Sequence, residues 1–146
     1  MGQYYKIVNL DKKEYLWPHD CDDGAKLTEF GNGPTMLCLA ALLADGNNRG
    51  SGDILSNNPI IGSWAGDRIV IAGDYADLGK FAPENAEQTS NLYSMAGDTY
   101  KYKNISATTV QALKDAGEWP ADPARSLRPD MLLYAGTPAP GLEEER

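Results

Sequence analysis

The chain has 146 residues, with 21 acidic and 13 basic side chains, and its formal net charge at pH 7 is −8. Because 42% of the residues are hydrophobic, the chain is too apolar to be wholly disordered, and its length suits one globular domain. Nucleic acids and anionic membranes bind clustered Lys and Arg, so the acidic balance argues against both as partners. No apolar run approaches the roughly 18–20 residues of a membrane helix.

The N-terminal part has the pattern of a β-hairpin. Residues 3–10 are rich in aromatic and β-branched side chains, which favour a strand. A polar turn at 11–13 leads into a returning strand at 14–17, which Pro18 ends because proline cannot donate to a sheet. A loop punctuated by glycine, with one helical turn at 26–30, is expected to follow.

A core helix is predicted at about 35–44. Pro34 suits the first helical position, with Asn32 or Gly33 as the N-cap. The segment is apolar on every face, so the helix is expected to be covered on most sides.

The second half of the chain has fewer regular segments. Residues 107–116 are predicted to form a second helix, with Ser106 as its cap and Gly117 as its end. The predicted strands are a short one at 60–61, a strong one at 68–72, an alternating one at 98–105 and a last one at 131–134.

These elements predict an α+β fold, because strands and helices do not alternate regularly along the chain. The sheet is expected to be antiparallel or mixed, around the buried helix at about 35–44, with the second helix at about 107–116. Residues 1–136 are predicted to form a single globular domain, and residues 137–146 a flexible tail.

Three segments resemble a family of uncharacterised bacterial and phage-associated proteins, over about the first 80 residues. They are the opening Met-Gly-Gln-Tyr-Tyr-Lys-Ile-Val-Asn-Leu-Asp-Lys, residues 42–47 and residues 63–75. The resemblance implies a bacterial or phage setting and brings no activity with it. A cytoplasmic location is expected as well, because no signal-peptide pattern opens the chain and its two cysteines make no disulfide framework.

A long polar loop after the core helix is a candidate calcium site. Asp45, Asn47 and Asp53 fall at positions one, three and nine of a twelve-residue stretch, as in an EF-hand loop. Two positions depart from that pattern, since Arg49 stands at position five and Ser56 at position twelve. The alternative is a connecting loop, and the main expectation is that the protein uses no cofactor.

His19, Cys21 and Asp74 are the candidate catalytic residues. His19 is the one histidine of the chain and lies close to Cys21 in the sequence, inside an acidic cluster. A hydrolase or a nucleotide- or metal-dependent enzyme would need the polar loops at 19–23, 45–53 and 74–77 to converge into one pocket. The alternative is that these segments are polar surface loops.

The leading hypothesis is a non-enzymatic interaction protein that binds another protein. The sequence has no phosphate-binding loop, dinucleotide fingerprint, nucleophile elbow or metalloprotease motif. Long polar loops and many aromatic side chains favour a contact surface. One specific form of this hypothesis is a phage-type inhibitor of a host protein. The candidate contact residues are Trp17, Asn47, Arg49, Trp64 (which the sequence also allows in the core) and Tyr75.

Overall fold

The computed structural model describes residues 2–81, 90–99 and 102–119. In chain order its elements are β1 (Tyr5–Asn9), β2 (Glu14–Leu16), a 3-10 turn (Pro18–Cys21), α1 (Leu27–Phe30), α2 (Pro34–Leu43), β3 (Ile69–Gly73), α3 (Leu92–Ser94), a π-helical turn (Met95–Thr99), β4 (Lys103–Asn104) and α4 (Ser106–Asp115).

Within the described residues, four strands form one mixed sheet in the order β3-β1-β2-β4. β1 pairs with β2 and with β3 in antiparallel fashion, whereas β2 and β4 run parallel. In this register Ile7 of β1 stands between Leu16 and Ile71. The predicted α+β fold with a mixed sheet is confirmed.

The sheet separates two apolar clusters because successive side chains of a strand point to opposite faces. Ile7 packs on one face with residues of α2 and α4, and Val8 packs on the other with Leu92 and Met95. Both β1 side chains are completely buried. β1 is therefore the strand on which both halves of the core meet.

The core helix begins as predicted, with Gly33 as the N-cap and Pro34 as the first helical residue. It is covered on fewer sides than its apolar sequence predicts, because Ala40 and Leu43 are exposed. Its buried residues are Thr35, Cys38, Ala41 and Leu42. The second helix is also confirmed, but Ser106 is its first residue and not its cap.

Among the described residues of the strand predicted at 98–105, residues 98–99 lie in the π-helical turn and only Lys103–Asn104 form a strand, β4. Leu92, Met95 and Ala96 recur at helical spacing, and all three side chains are buried against the sheet. This packing favours the helical turns that the structure has at residues 92–99. Residues 60–61 lie in a turn and not in a strand. The strand predicted at 131–134 and the tail predicted at 137–146 lie outside the described residues.

Trp64 lies in the centre of the larger cluster with its ring fully buried. Its indole Nε1 donates a hydrogen bond of 2.8 Å to Glu14 Oε1, which satisfies the one polar atom of the side chain. Of the two positions that the sequence allows for Trp64, the structure therefore fits the one in the core, where the ring is not available to a partner.

An ionic network holds the hairpin against the start of β3. The Asp67 carboxylate accepts hydrogen bonds from Asn9 Nδ2 at 2.9 Å and Lys12 Nζ at 2.6 Å, and these two donors lower the pKa of Asp67. Asp11 Oδ1 accepts two hydrogen bonds from the Arg68 guanidinium, one from Nε and one from Nη2, and these bonds lower the pKa of Asp11.

We expect Trp64→Ala to destabilise the fold by about 3–5 kcal/mol, because it removes a fully buried aromatic ring. Tyr75→Ala, at a residue that is 59% exposed, is expected to change stability by less than about 0.5 kcal/mol. Urea unfolding followed by circular dichroism measures both variants. A loss below about 1 kcal/mol for Trp64→Ala would contradict the central position of this residue.

We expect Asp67→Asn to lower the midpoint of thermal unfolding at pH 7, because the neutral amide loses the contacts that favour the carboxylate. Since the folded-state pKa of Asp67 is lowered, its stabilising effect is present above the unfolded-state value of about 3.9 and disappears as the pH falls through the lower folded value. The difference between variant and wild type should therefore shrink as the pH falls below the unfolded-state value. Asp45→Asn, in an exposed loop, is the control. A difference that is the same at every pH would refute this explanation.

Candidate functional site

A groove of about 360 Å³ runs along the outer edge of β3. We call it the β3 groove. It is lined by residues 70–73 of β3, by the loop that follows and by Leu92 of α3. Four large apolar side chains are exposed in or beside it, namely Ile71, Tyr75, Leu78 and Phe81. Single exposed apolar residues are ordinary, but a contiguous group beside a groove is typical of an interaction surface.

The loop that forms the outer wall of the β3 groove is fixed by Asn91. This side chain is 6% exposed, and its amide donates to the carbonyl oxygens of Asp74 at 2.9 Å and Ala76 at 3.2 Å. Its oxygen accepts the Ser94 N–H at the start of α3. One buried amide therefore joins the loop to α3 and holds the groove open in a defined shape.

The backbone of β3 is arranged for pairing on its outer side. The Asp74 N–H bonds to the Tyr4 carbonyl and the Leu10 N–H to the Arg68 carbonyl, so even-numbered residues of β3 exchange hydrogen bonds with β1. The N–H and C=O groups of Ile71 consequently point away from β1. Proteins usually guard such edges with charged residues or proline, and residues 69–73 contain neither.

A separate aromatic cluster covers Lys6 on the α3 face of the sheet. The Lys6 ammonium lies 4.0 Å from the centre of the Tyr93 ring and 5.9 Å from that of Trp17, and it donates to the Tyr93 carbonyl at 3.0 Å. A Cβ atom at Gly97 would meet this ammonium, so a larger residue there would displace the end of the Lys6 side chain. The cluster stabilises a nearly buried cation through ring electrostatics.

The three candidate catalytic residues have different environments. His19 is exposed, with its ring 4.6 Å from that of Trp17 and 6.1 Å from that of Tyr4. Asp74 Oδ1 accepts the Tyr4 N–H at 2.9 Å, which is a structural bond at the end of β3. Cys21 is fully buried. The hydrolase alternative stays a prediction, and no observed contact joins these three side chains to one another.

The polar loop after α2 is held by its own side chains. Asn47 accepts the Ile54 N–H and donates to the Ile54 carbonyl, at 2.9 and 2.8 Å. The Asp53 carboxylate accepts the N–H groups of Arg49 and Gly50, and these bonds lower the pKa of Asp53. Asp45 is exposed. The oxygens proposed as calcium ligands at Asn47 and Asp53 thus already close the loop.

The predicted contact residues fall in different parts of the molecule. Tyr75 lies in the β3 groove, Trp17 in the aromatic cluster, and Asn47 and Arg49 in the polar loop, while Trp64 is in the core. The sequence reasoning missed the other apolar residues of the groove. Leu78 and Phe81 stand in an otherwise polar segment, and that pattern was the available signal.

Comparisons of the chain with protein-family models, curated proteins and solved structures found no match. The resemblance to bacterial and phage-associated proteins therefore stays a prediction. Among the described residues, no helix is long and apolar enough to span a membrane. The same residues contain no group of three or more His, Cys, Asp or Glu side chains that could hold a metal ion.

We expect about 5 mM calcium to leave the melting temperature unchanged, because the side chains of Asn47 and Asp53 already bond to the loop backbone. Differential scanning fluorimetry with calcium and with magnesium measures this. A rise in melting temperature with calcium that Asp53→Asn abolishes would establish the EF-hand-like site instead, since a ligand that binds only the folded state must stabilise it.

Proposed function

We propose that this chain is a non-enzymatic interaction protein that binds an extended segment of a partner protein along the outer edge of β3. The observation that carries the proposal is the combination, at one place, of an unguarded strand edge and exposed apolar side chains. Either feature alone is common at protein surfaces, whereas together they fit recognition by strand addition.

The partner segment has a definite chemistry. Backbone groups at Ile69 and Ile71 would bond to an added strand, since the register directs these groups outward, whereas the Gly73 carbonyl already accepts the Ala76 N–H at 3.1 Å. Alternate side chains of the added strand would face the apolar wall formed by Tyr75 and Phe81, so apolar residues at every second position fit best. The net charge of −8 disfavours an acidic segment, so the partner segment is neutral or basic.

A phage-type inhibitor of a host protein is one form of this function. The resemblance of the first 80 or so residues to phage-associated proteins supports it. An inhibitor that binds a segment of its target along a strand edge needs no catalytic residues of its own, which agrees with the motifs that the sequence lacks.

The test uses linear peptides selected for binding to the purified full chain from a random display library. We expect Ile71→Lys to weaken binding of the selected peptides at least about tenfold, because it puts a charge on the edge where an added strand would pair. Leu55→Lys is the matched control, since Leu55 is also exposed and apolar but lies in the polar loop. Isothermal titration calorimetry gives the affinities.

Amide chemical shifts on peptide addition should change in residues 69–81. Circular dichroism and the melting temperature establish that both variants are folded. Peptides that bind Ile71→Lys as tightly as wild type, or that shift amides only outside the β3 groove, would contradict the proposed function.

A further inference from the structure

The 3-10 turn and α2 bring the two cysteines of the chain together. Cys21 ends the turn and Cys38 lies in the middle of α2, and both are fully buried in the same apolar cluster. The Cys38 thiol donates a hydrogen bond to the Cys21 sulfur. The sequence itself shows no disulfide framework, so the proximity of the two cysteines is a product of the fold.

The surroundings make the two thiols unequal. The hydrogen bond from Cys38 lowers the pKa of Cys21 against the opposing effect of burial, and the Ser106 hydroxyl adds to the lowering. The same hydrogen bond to Cys21, with burial, raises the pKa of Cys38. Cys21 ends a short turn, whereas Cys38 lies inside a ten-residue helix, so local opening exposes Cys21 first and Cys21 is the sulfur that reacts first.

We propose that Cys21 and Cys38 form a redox-modification site, in which a peroxide oxidises the two thiols to a disulfide between the 3-10 turn and α2. The inference stands on two buried cysteines of one apolar cluster, carried by a turn and a helix that pack against each other. It does not depend on the proposed interaction function.

The reaction needs one equivalent of hydrogen peroxide. The Cys21 thiolate attacks one peroxide oxygen, the O–O bond breaks, and the departing hydroxide takes a proton to become water, which leaves a sulfenic acid on Cys21. The Cys38 sulfur then attacks the Cys21 sulfur and the S–O bond breaks. The Cys38 proton joins the departing hydroxide as a second water. Two thiols and one peroxide thus give one disulfide and two waters.

Burial determines how the site reacts. Local opening of the turn must precede oxidation, because neither sulfur is exposed in the closed fold. A small uncharged oxidant then reaches Cys21 more readily than a bulky alkylating reagent does. Once formed, the disulfide closes the chain around α1 and restricts the unfolded state.

The experiment treats the full-length reduced protein with about 1 mM hydrogen peroxide and follows its intact mass. We expect a monomer lighter by about 2 Da, the mass of two hydrogens. Trypsin should release residues 14–26 and 27–49 as one cross-linked peptide that a reductant separates. The melting temperature of the oxidised monomer should rise by at least about 5 °C and return on reduction.

Two variants separate the roles of the sulfurs. In Cys38→Ala we expect dimedone to trap a sulfenic acid at Cys21, whereas in Cys21→Ala we expect Cys38 to stay unmodified. The wild-type mass change decides the proposal even if a variant fails to fold. Oxidised wild type that keeps both thiols, carries added oxygen without a cross-link, or links two chains would overturn the proposal.

Discussion

The double-sided burial of β1 is the constraint on which the rest of the structure depends. Ile7 and Val8 are adjacent in sequence, completely buried, and directed into different apolar clusters. A strand in that position needs a neighbour on each side and a layer on each face. β2 and β3 supply the neighbours, α2 and α4 cover one face, and α3 with the π-helical turn covers the other.

This arrangement leaves β3 as an outer strand. Within the part of the chain that the structure describes, β3 pairs with β1 on one side only. The loop after β3 and α3 stand beside its other side, and Asn91 joins them. The same packing that completes the core therefore builds the β3 groove. No charged residue falls within β3, and the two charged residues that line the β3 groove, Asp77 and Lys80, have opposite signs.

Local patterns were enough to predict the elements with strong signals. Pro34 after Gly33 located the start of α2, and the aromatic and β-branched run of residues 3–10 located β1. The strand prediction was wrong at residues 98–99 and right at 103–104, because polar alternation is a local signal, whereas the burial of Met95 against the sheet, which favours the helical turn before β4, depends on distant strands. The exposure of one side of α2 likewise depends on which elements pack against the helix. The composition of the helix does not specify those elements.

The candidate site was harder to predict because its parts are distant in sequence or hidden by the fold. Tyr75 was identified, but its neighbours Ile71 and Phe81 became a surface only once β3 was known to be an outer strand. The pairing of Cys21 with Cys38 needs the packing of the turn on α2 and has no signature in the spacing. The sequence was enough to identify single candidate residues, but it did not show which residues lie next to them in the fold.

The outer edge of β3 is the central claim, and amide hydrogen exchange of the full chain tests it most directly. The account predicts slow exchange at Val70 and Ala72, whose N–H groups bond to β1, and exchange at least about a hundredfold faster at Ile71, whose N–H points outward. Protection of Ile71 equal to that of its two neighbours would show that the edge is already covered, and would contradict the account.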